Sequence, residues 1–469
     1  MFTAPYPPYD PTDPNGFSYT TVVHRWPVII TGVIDRMHRL SHDLYLEMTA
    51  PEVEAELKEL LNLKIEEAKG IIGKISRLKY EMGRDYVMEP ISDDGEPAEA
   101  YNSELNRLAG EAKNTWFTAP WLFAEYRLLR SYFTQTTQWV SFDPFASQKA
   151  ETFKQSGKAI YQIATTMHEL QEEHAKIDTN SDNLGVLFKE MIQMCLWGNA
   201  TDLSLLTHLS SSDIEHLQTV GKDAQAARAE FILRDDQEKV WTHVNSLSGG
   251  RIDFVLDNGL FTDLVFADFL VTYTPHVSSV VFHPKLFPWF VSDVTPSDFA
   301  ETIQSLLDPA FLPPTDGMNL DHLQVMIRRW EKYINDGVFS LSVPAATPLG
   351  GKSEEAQRLA GFWTSPAPYW NMEVLASDLY KGLKGSDLVI FKYLLGSTNL
   401  TLVAFSYRKL TGDVKWPAWT PFSTALGPLA GSFPLLSLRT NKADVVVGVE
   451  REIAEKLDKE GSKWRVDGR

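Results

Sequence analysis

Cys195 is the only cysteine in this chain of 469 residues, so no disulfide can form within it and a disulfide framework is excluded. That thiol lies in LFKEMIQMCLWGN, where apolar residues recur at helical steps, and it reads as a buried helix residue rather than a nucleophile. Positive charge is also scarce: 44 Lys and Arg stand against 62 Asp and Glu, a formal net charge of -18. Such a balance argues against a nucleic-acid backbone or an anionic membrane as a partner, yet leaves room for a few cations to converge on one phosphate. No run approaches the ~18 apolar residues that a membrane span needs. The opening MFTAPYPPYDPTDPNGF has neither the basic nor the apolar region of a secretory signal. The expected compartment is therefore the reducing cytosol, with the nucleus as a second location. A Gly-rich phosphate loop and a G-x-S-x-G elbow are missing too, which removes nucleotide-loop and serine-hydrolase readings.

What is present divides the chain by texture. Residues 1–18 are rich in Pro and Asp and read as an extended arm. Residues 19–235 carry a helical pattern. In PEVEAELKELLNLKIEEAKGIIGKISRLKYEM the apolar residues Val53, Leu57, Leu60, Leu61, Ile65, Ala68, Ile72, Ile75 and Leu78 follow three- and four-residue steps. Residues 236–469 change character. RIDFVLDNG, VSSVVFHP, DLVIF, LLSLRT and DVVVGV are short β-branched runs that end in polar or turn residues, as buried parallel strands do. The expected fold class is α/β: a helical N-terminal region followed by an α/β domain. EREIAEKLDKEGSKW reads as an amphipathic closing helix.

In open α/β sheets ligands bind outside the carboxyl ends of the strands, so the residues after each strand matter most. RIDFVLD ends in Asp257-Asn258, the strand-like PWFVSD ends in Asp293, and LLSLRTNK supplies Arg439 and Lys442. Two carboxylates and an amide oxygen are hard donors that suit Mg²⁺, Mn²⁺, Co²⁺ or Ni²⁺. Arg and Lys at a neighbouring strand end suit a phosphate. The plain alternative is that Asp and Asn serve as turn or cap residues and that Arg439 and Lys442 are a solvated pair.

FVLDN, LFTDLVFADFLV, PWFVSDVTPSDF, SDLVIFK, YRKLTGDVKW and RTNKADVVVGV, taken in order, resemble the metal-dependent damage-control phosphatases. The match is to their subfamily III, the sugar-phosphate phosphatases also described as protein-glutamate methyltransferases. The subfamily's R-T-x-K signature is Arg439-Thr440-Asn441-Lys442 here. The resemblance implies an N-terminal helical bundle on a three-layer α/β/α domain, and a divalent metal on Asp257, Asn258 and Asp293, which would then be the catalytic centre. It implies phosphate or sugar contacts from Tyr407, Arg408 and Lys442, with Asn199 of GNATDLS lining the same pocket. The implied substrates are small phosphometabolites such as fructose 1-phosphate or fructose 6-phosphate. The implied alternative activity is S-adenosylmethionine-dependent methylation of protein carboxylates.

Two departures from the family pattern bear on activity. After DLVIFK the family has G-D-x-N before Y-R-K-L, whereas this chain has YLLGSTNLTLVAFS at residues 393–406. The clean interruption of a short motif by uncharged residues reads as a translated intron; the rival reading is a lineage-specific loop that covers the site. Secondly, Gly259-Leu260 follows Asp257-Asn258 at once, about three residues short of the family's D-N-x-G-F-E-L, and the family Glu is absent. A misplacement of about 1 Å can cost roughly a hundredfold in rate. A non-catalytic variant with a damaged site is therefore the third reading.

Overall fold

The computed structural model describes residues 2–92, 98–128, 130–174, 181–197, 232–257, 259–289, 293–314, 317–351, 353–393, 405–439, 441, 443–461 and 463–465. Asn199, Asn258, Lys442 and residues 394–404 of the insert lie outside the described residues. No described helix is long and apolar enough to cross a membrane.

The strands are β1 (Gly250–Val255), β2 (Val277–His283), β3 (Phe339–Leu341), β4 (Leu388–Tyr393) and β5 (Leu435–Arg439). They form one parallel sheet in the order β3-β2-β1-β4-β5. Both faces are covered, which is why the strands read as near-continuous apolar runs. Ile252, Phe254, Val280, Phe282 and Ile390 enter one core, with helices Gly157–His174, Ser181–Trp197, Leu260–Tyr273 and Leu320–Asn335. The alternate residues Val255, Val389 and Phe391 face the other way, onto Trp363, Tyr369 and Leu383. The result is a mixed α/β fold with an N-terminal helical region.

That helical region is built on a long antiparallel pair, Trp26–Met48 and Ala55–Gly83. The buried stripe of the second helix runs through Leu61, Ile65, Ala68, Ile71, Ile75, Leu78 and Met82. Leu57 and Leu60, expected on that stripe, stay exposed. The core of the region also takes in Phe287, Trp289 and Ala443, which come from loops at the carboxyl edge of the sheet. The helices therefore sit against the edge where a parallel sheet places its ligands. Cys195 is fully buried in the Ser181–Trp197 helix, as its surroundings in the sequence foretold.

Two expected strands are corrected. DVVVGV is not part of the sheet: Gly448 and Val449 donate their backbone N–H groups to Thr420 and Ala418, and Val447 donates to the Tyr407 hydroxyl. Gly448 has φ +81°, which an extended strand does not use. Val445, Val447 and Val449 are apolar because they are buried, not because they pair. Pro288, Trp289 and Asp293 are likewise in no strand; Asp293 closes a loop that leaves β2. The short β3, formed from VFSLS, carried too few residues to stand out in the sequence.

Candidate active site

The strand order reverses between β1 and β4, and this switch point is where an open α/β sheet opens a crevice. β1 delivers Asp257 there, just before Gly259. That glycine adopts φ +76° and starts the Leu260–Tyr273 helix at once. The loop after β2 delivers Asp293. It is closed by the Lys285 N–H donating to the Val294 carbonyl at 2.9 Å and by the Trp289 N–H donating to Asp293 Oδ2 at 2.8 Å. Asp293 is thus oriented by its own loop before helix Pro296–Leu307 begins, capped by Thr295 and Asp298.

Asp257 and Asp293 meet. Lys285 Nζ donates to Oδ1 of both, and all three side chains are buried. Burial opposes the lysine charge, but the Asp257 and Asp293 carboxylates hold its ammonium above the ordinary lysine range. Two buried carboxylates converging on one cationic centre are an all-oxygen donor pair of the kind hard divalent ions take. Among the described residues, no group of three or more His, Cys, Asp or Glu side chains converges on such a point.

β4 contributes Lys392, which spans to the turn after Asp257. Its Nζ donates to the Gly259 carbonyl at 2.9 Å and to Thr262 Oγ1, and it pairs with Asp263 at 2.5 Å. Burial pushes the Asp263 carboxyl up to about 6, against the pull of Lys392. The shortened turn is thereby tied to β4 from the side. Tyr393, the last residue of β4, pairs with Arg439, the last of β5, so the insert begins at the rim of the same crevice.

β5 brings Arg439 to that edge. Its guanidinium lies over the Tyr407 ring at 4.0 Å, and Nη2 donates to the Ala443 carbonyl. The Tyr407 ring also lies parallel to that of Phe422, with centroids 6.0 Å apart. Tyr407 and Arg439 therefore form one unit two strands from β1, about 10 Å at the usual strand spacing. Lys409 is fully buried and donates to the carbonyls of Phe362, Trp363 and Ser365. Burial, and then the charge of Lys285, hold its amine well below the ordinary range.

Arg408 takes another direction. Its Nε and Nη2 donate to the Asp413 carboxylate, each at 2.8 Å, and Nη1 donates to Glu125 Oε2 at 2.5 Å. The guanidinium lies 3.4 Å from the centre of the Trp121 ring. It joins the helical region to the α/β domain, and three of its N–H groups are committed to those carboxylates. Asp257 and Asp293 are thus together, Tyr407 and Arg439 are together, and Arg408 is turned toward the helices.

Glu125 gives this junction a pH dependence. Burial pushes its carboxyl up to about 7 from an ordinary 4.5, with Arg408 pulling the other way. Between those values the folded state holds a proton that the unfolded chain has released, so stability falls as pH rises through that window. In urea unfolding from pH 5 to 8, wild type should lose stability relative to Glu125→Gln. A constant difference between the two would contradict this.

Lys285, Lys392 and Lys409 were not singled out from the sequence. For the first two the signal is a lone lysine in or at the end of an apolar run, VVFHPKLFP and DLVIFK; Lys409, beside Arg408 in YRKL, carried none. An amine amid buried residues must find carboxylates or carbonyls, and each of these does.

With this geometry in view, the comparisons place the chain. It belongs to the damage-control phosphatase ARMT1-like domain family, whose model matches residues 21–457. It is 34% identical to damage-control phosphatase ARMT1 of Xenopus laevis, over 97% of this chain and 94% of that protein. The identity is 32% with the Danio rerio protein of the same name and 30% with the Homo sapiens one, each over 97% of this chain and covering 93% and 95% of those proteins.

Proposed function

We propose that this phosphatase hydrolyses small sugar phosphates, of the fructose 1-phosphate or fructose 6-phosphate kind, in a metal-dependent reaction. The observation that carries the reading is the convergence of buried Asp257 and Asp293 on Lys285 at the switch point of the sheet. Asp257 and Asp293 would hold the divalent ion with Asn258: Mn²⁺, Co²⁺, Ni²⁺ or Mg²⁺. The remaining donors would be backbone or water oxygens. The ion supplies charge withdrawal at a phosphoryl oxygen and places a nucleophile beside it.

The chain's own groups do the rest. Lys285 holds the two carboxylates at one point and offsets their mutual repulsion. Arg439, braced on Tyr407, and Lys442 of the next loop would take the phosphoryl oxygens, so that developing charge meets fixed cations in a site largely shielded from water. The acidic surface is no obstacle, because Arg439 and Lys442 would bring positive charge to the phosphate side of the site.

Phosphate release from fructose 1-phosphate tests the reading. Turnover should appear with Mn²⁺, Co²⁺ or Ni²⁺ and vanish with chelator. Equal turnover in chelator, or none with any divalent ion while a chain carrying the family sequence at both departures is active, would refute it for this chain. Methyl transfer to a protein carboxylate is the competing activity, and labelled S-adenosylmethionine would reveal it.

A further inference from the structure

The N-terminal arm grips two segments that carry the phosphate-side residues. On the first, Pro8 and Val414 form an antiparallel bridge, the Tyr9 N–H donates to the Asp413 carbonyl at 2.7 Å, and the Lys415 N–H donates to the Pro7 carbonyl at 2.9 Å. Tyr6 packs edge-on against Trp416, and Phe2 against Trp370. That places the arm directly beside the Tyr407–Asp413 stretch. Gly412 permits this stretch to pack on Trp370, the ring that Phe2 meets: it has φ +72°, and a Cβ there would stand 1.6 Å from that ring.

On the second segment, the Tyr9 hydroxyl donates to the Asp444 carbonyl at 2.9 Å, and the Phe17 N–H donates to Asp444 Oδ2 at 2.6 Å. Asp444 lies two residues after Lys442, at the exit of the R-T-x-K loop. The two gripped segments also touch each other, through Val447 N–H to the Tyr407 hydroxyl. The helical region closes the arrangement from the other side. The Trp121 N–H donates to the Tyr9 carbonyl at 2.9 Å, and the Leu122 N–H donates to Asp413 Oδ2 at 3.1 Å. Asp413 adopts φ +55°, a left-handed conformation that a non-glycine residue keeps only when its surroundings enforce it. Tyr9 packs against both the helical core and the α/β core.

We propose that Tyr9 is a positioning residue for the phosphate side of the site. Its backbone and hydroxyl hold the Tyr407–Asp413 stretch and Asp444 at a fixed separation, while the carboxylate pair on β1 and the β2 loop is gathered by Lys285. The inference deepens the phosphatase reading and rests on it for its kinetic form. A junction of this kind governs where Tyr407 and Arg439 stand, not how the metal side is built.

The test is Tyr9→Ala beside the conservative Tyr9→Phe, which keeps the ring and loses the bond to Asp444. For Tyr9→Ala, KM for fructose 1-phosphate and the inhibition constant of inorganic phosphate should each rise about three- to tenfold, the range one hydrogen bond and its packing span. The metal concentration for half-maximal activity should not move, and kcat should stay within about twofold. Tyr9→Phe, which keeps the packing and loses the bond to Asp444, should show an intermediate loss. Parallel changes in phosphate-side and metal-side constants, or no change in either, would overturn the proposal. Hydrogen exchange separates this from failure of the phosphatase reading, since it needs no turnover. Tyr9→Ala should lose protection at Asp413, Lys415, Val447 and Gly448 while Ile252 and Phe254 of β1 keep theirs. Unchanged protection in those four amides would reject the positioning role whether or not the chain is active.

Discussion

Asp257→Asn should lower kcat/KM for fructose 1-phosphate by about three orders of magnitude, since a ligand to a catalytic cation carries several kcal/mol of transition-state stabilisation and each factor of ten is about 1.4 kcal/mol. The substitution preserves size, so the loss reports charge and ligation rather than packing. Removing one carboxylate leaves Lys285 facing Asp293 alone, and the site changes from a net single negative charge to neutral. Metal affinity should fall with it, so that raising the metal concentration restores only part of the rate. Asp293→Asn should behave alike, with an added disturbance of the Trp289 N–H that its other oxygen holds. Activity within about tenfold of wild type in both variants would remove this pair from the chemistry.

Arg408→Leu should destabilise the fold by about 3–5 kcal/mol, the range for removing one partner of a buried ion pair. The guanidinium, Glu125 and Asp413 are all buried, so the two carboxylates would be left without their cation. The stacking on Trp121 would be lost as well. Glu125→Gln should cost far less near neutral pH, because burial already raises that carboxyl to about 7. The order Arg408→Leu well above Glu125→Gln, read from urea midpoints at pH 7, checks the assignment. If Arg408→Leu were as stable as wild type and merely raised KM, the residue would be a phosphate contact, as the family resemblance implied, and the junction would be unimportant.

The two residues show why the site was only partly legible. Asp257 stood out because a buried parallel strand ends in an acid, and in this sheet class the strand ends face the ligand. Arg408 sits in a motif with an implied phosphate contact, and nothing in Tyr-Arg-Lys-Leu tells which way a side chain points from its short helix. Its direction depends on Glu125, 283 positions earlier, and on a left-handed backbone at Asp413. Lys285 was missed for a related reason. It lies between two flagged acids in the chain, yet its role appears only when the β2 loop folds back over β1.

The same contrast runs through the fold. Strands buried on both faces announce themselves by near-continuous apolar runs, as Leu388–Phe391 does, because both pleat faces must shed water. Val445–Val449 has the same composition and forms no strand, since its N–H groups find Thr420, Ala418 and Tyr407 before any sheet edge.

By itself, the sequence determined the mixed α/β class with an N-terminal helical region, the buried setting of Cys195, and the acids at the switch point. These follow from local periodicity and from which residues shun water, properties each short segment carries alone. Only the tertiary structure decided which cation bridges Asp257 and Asp293, where Arg408 is directed, and that the arm ties Tyr9 to both phosphate-side segments. Those are pairings between residues far apart in the chain, and a pairing is settled by the direction and burial of two side chains at once, which no single segment encodes.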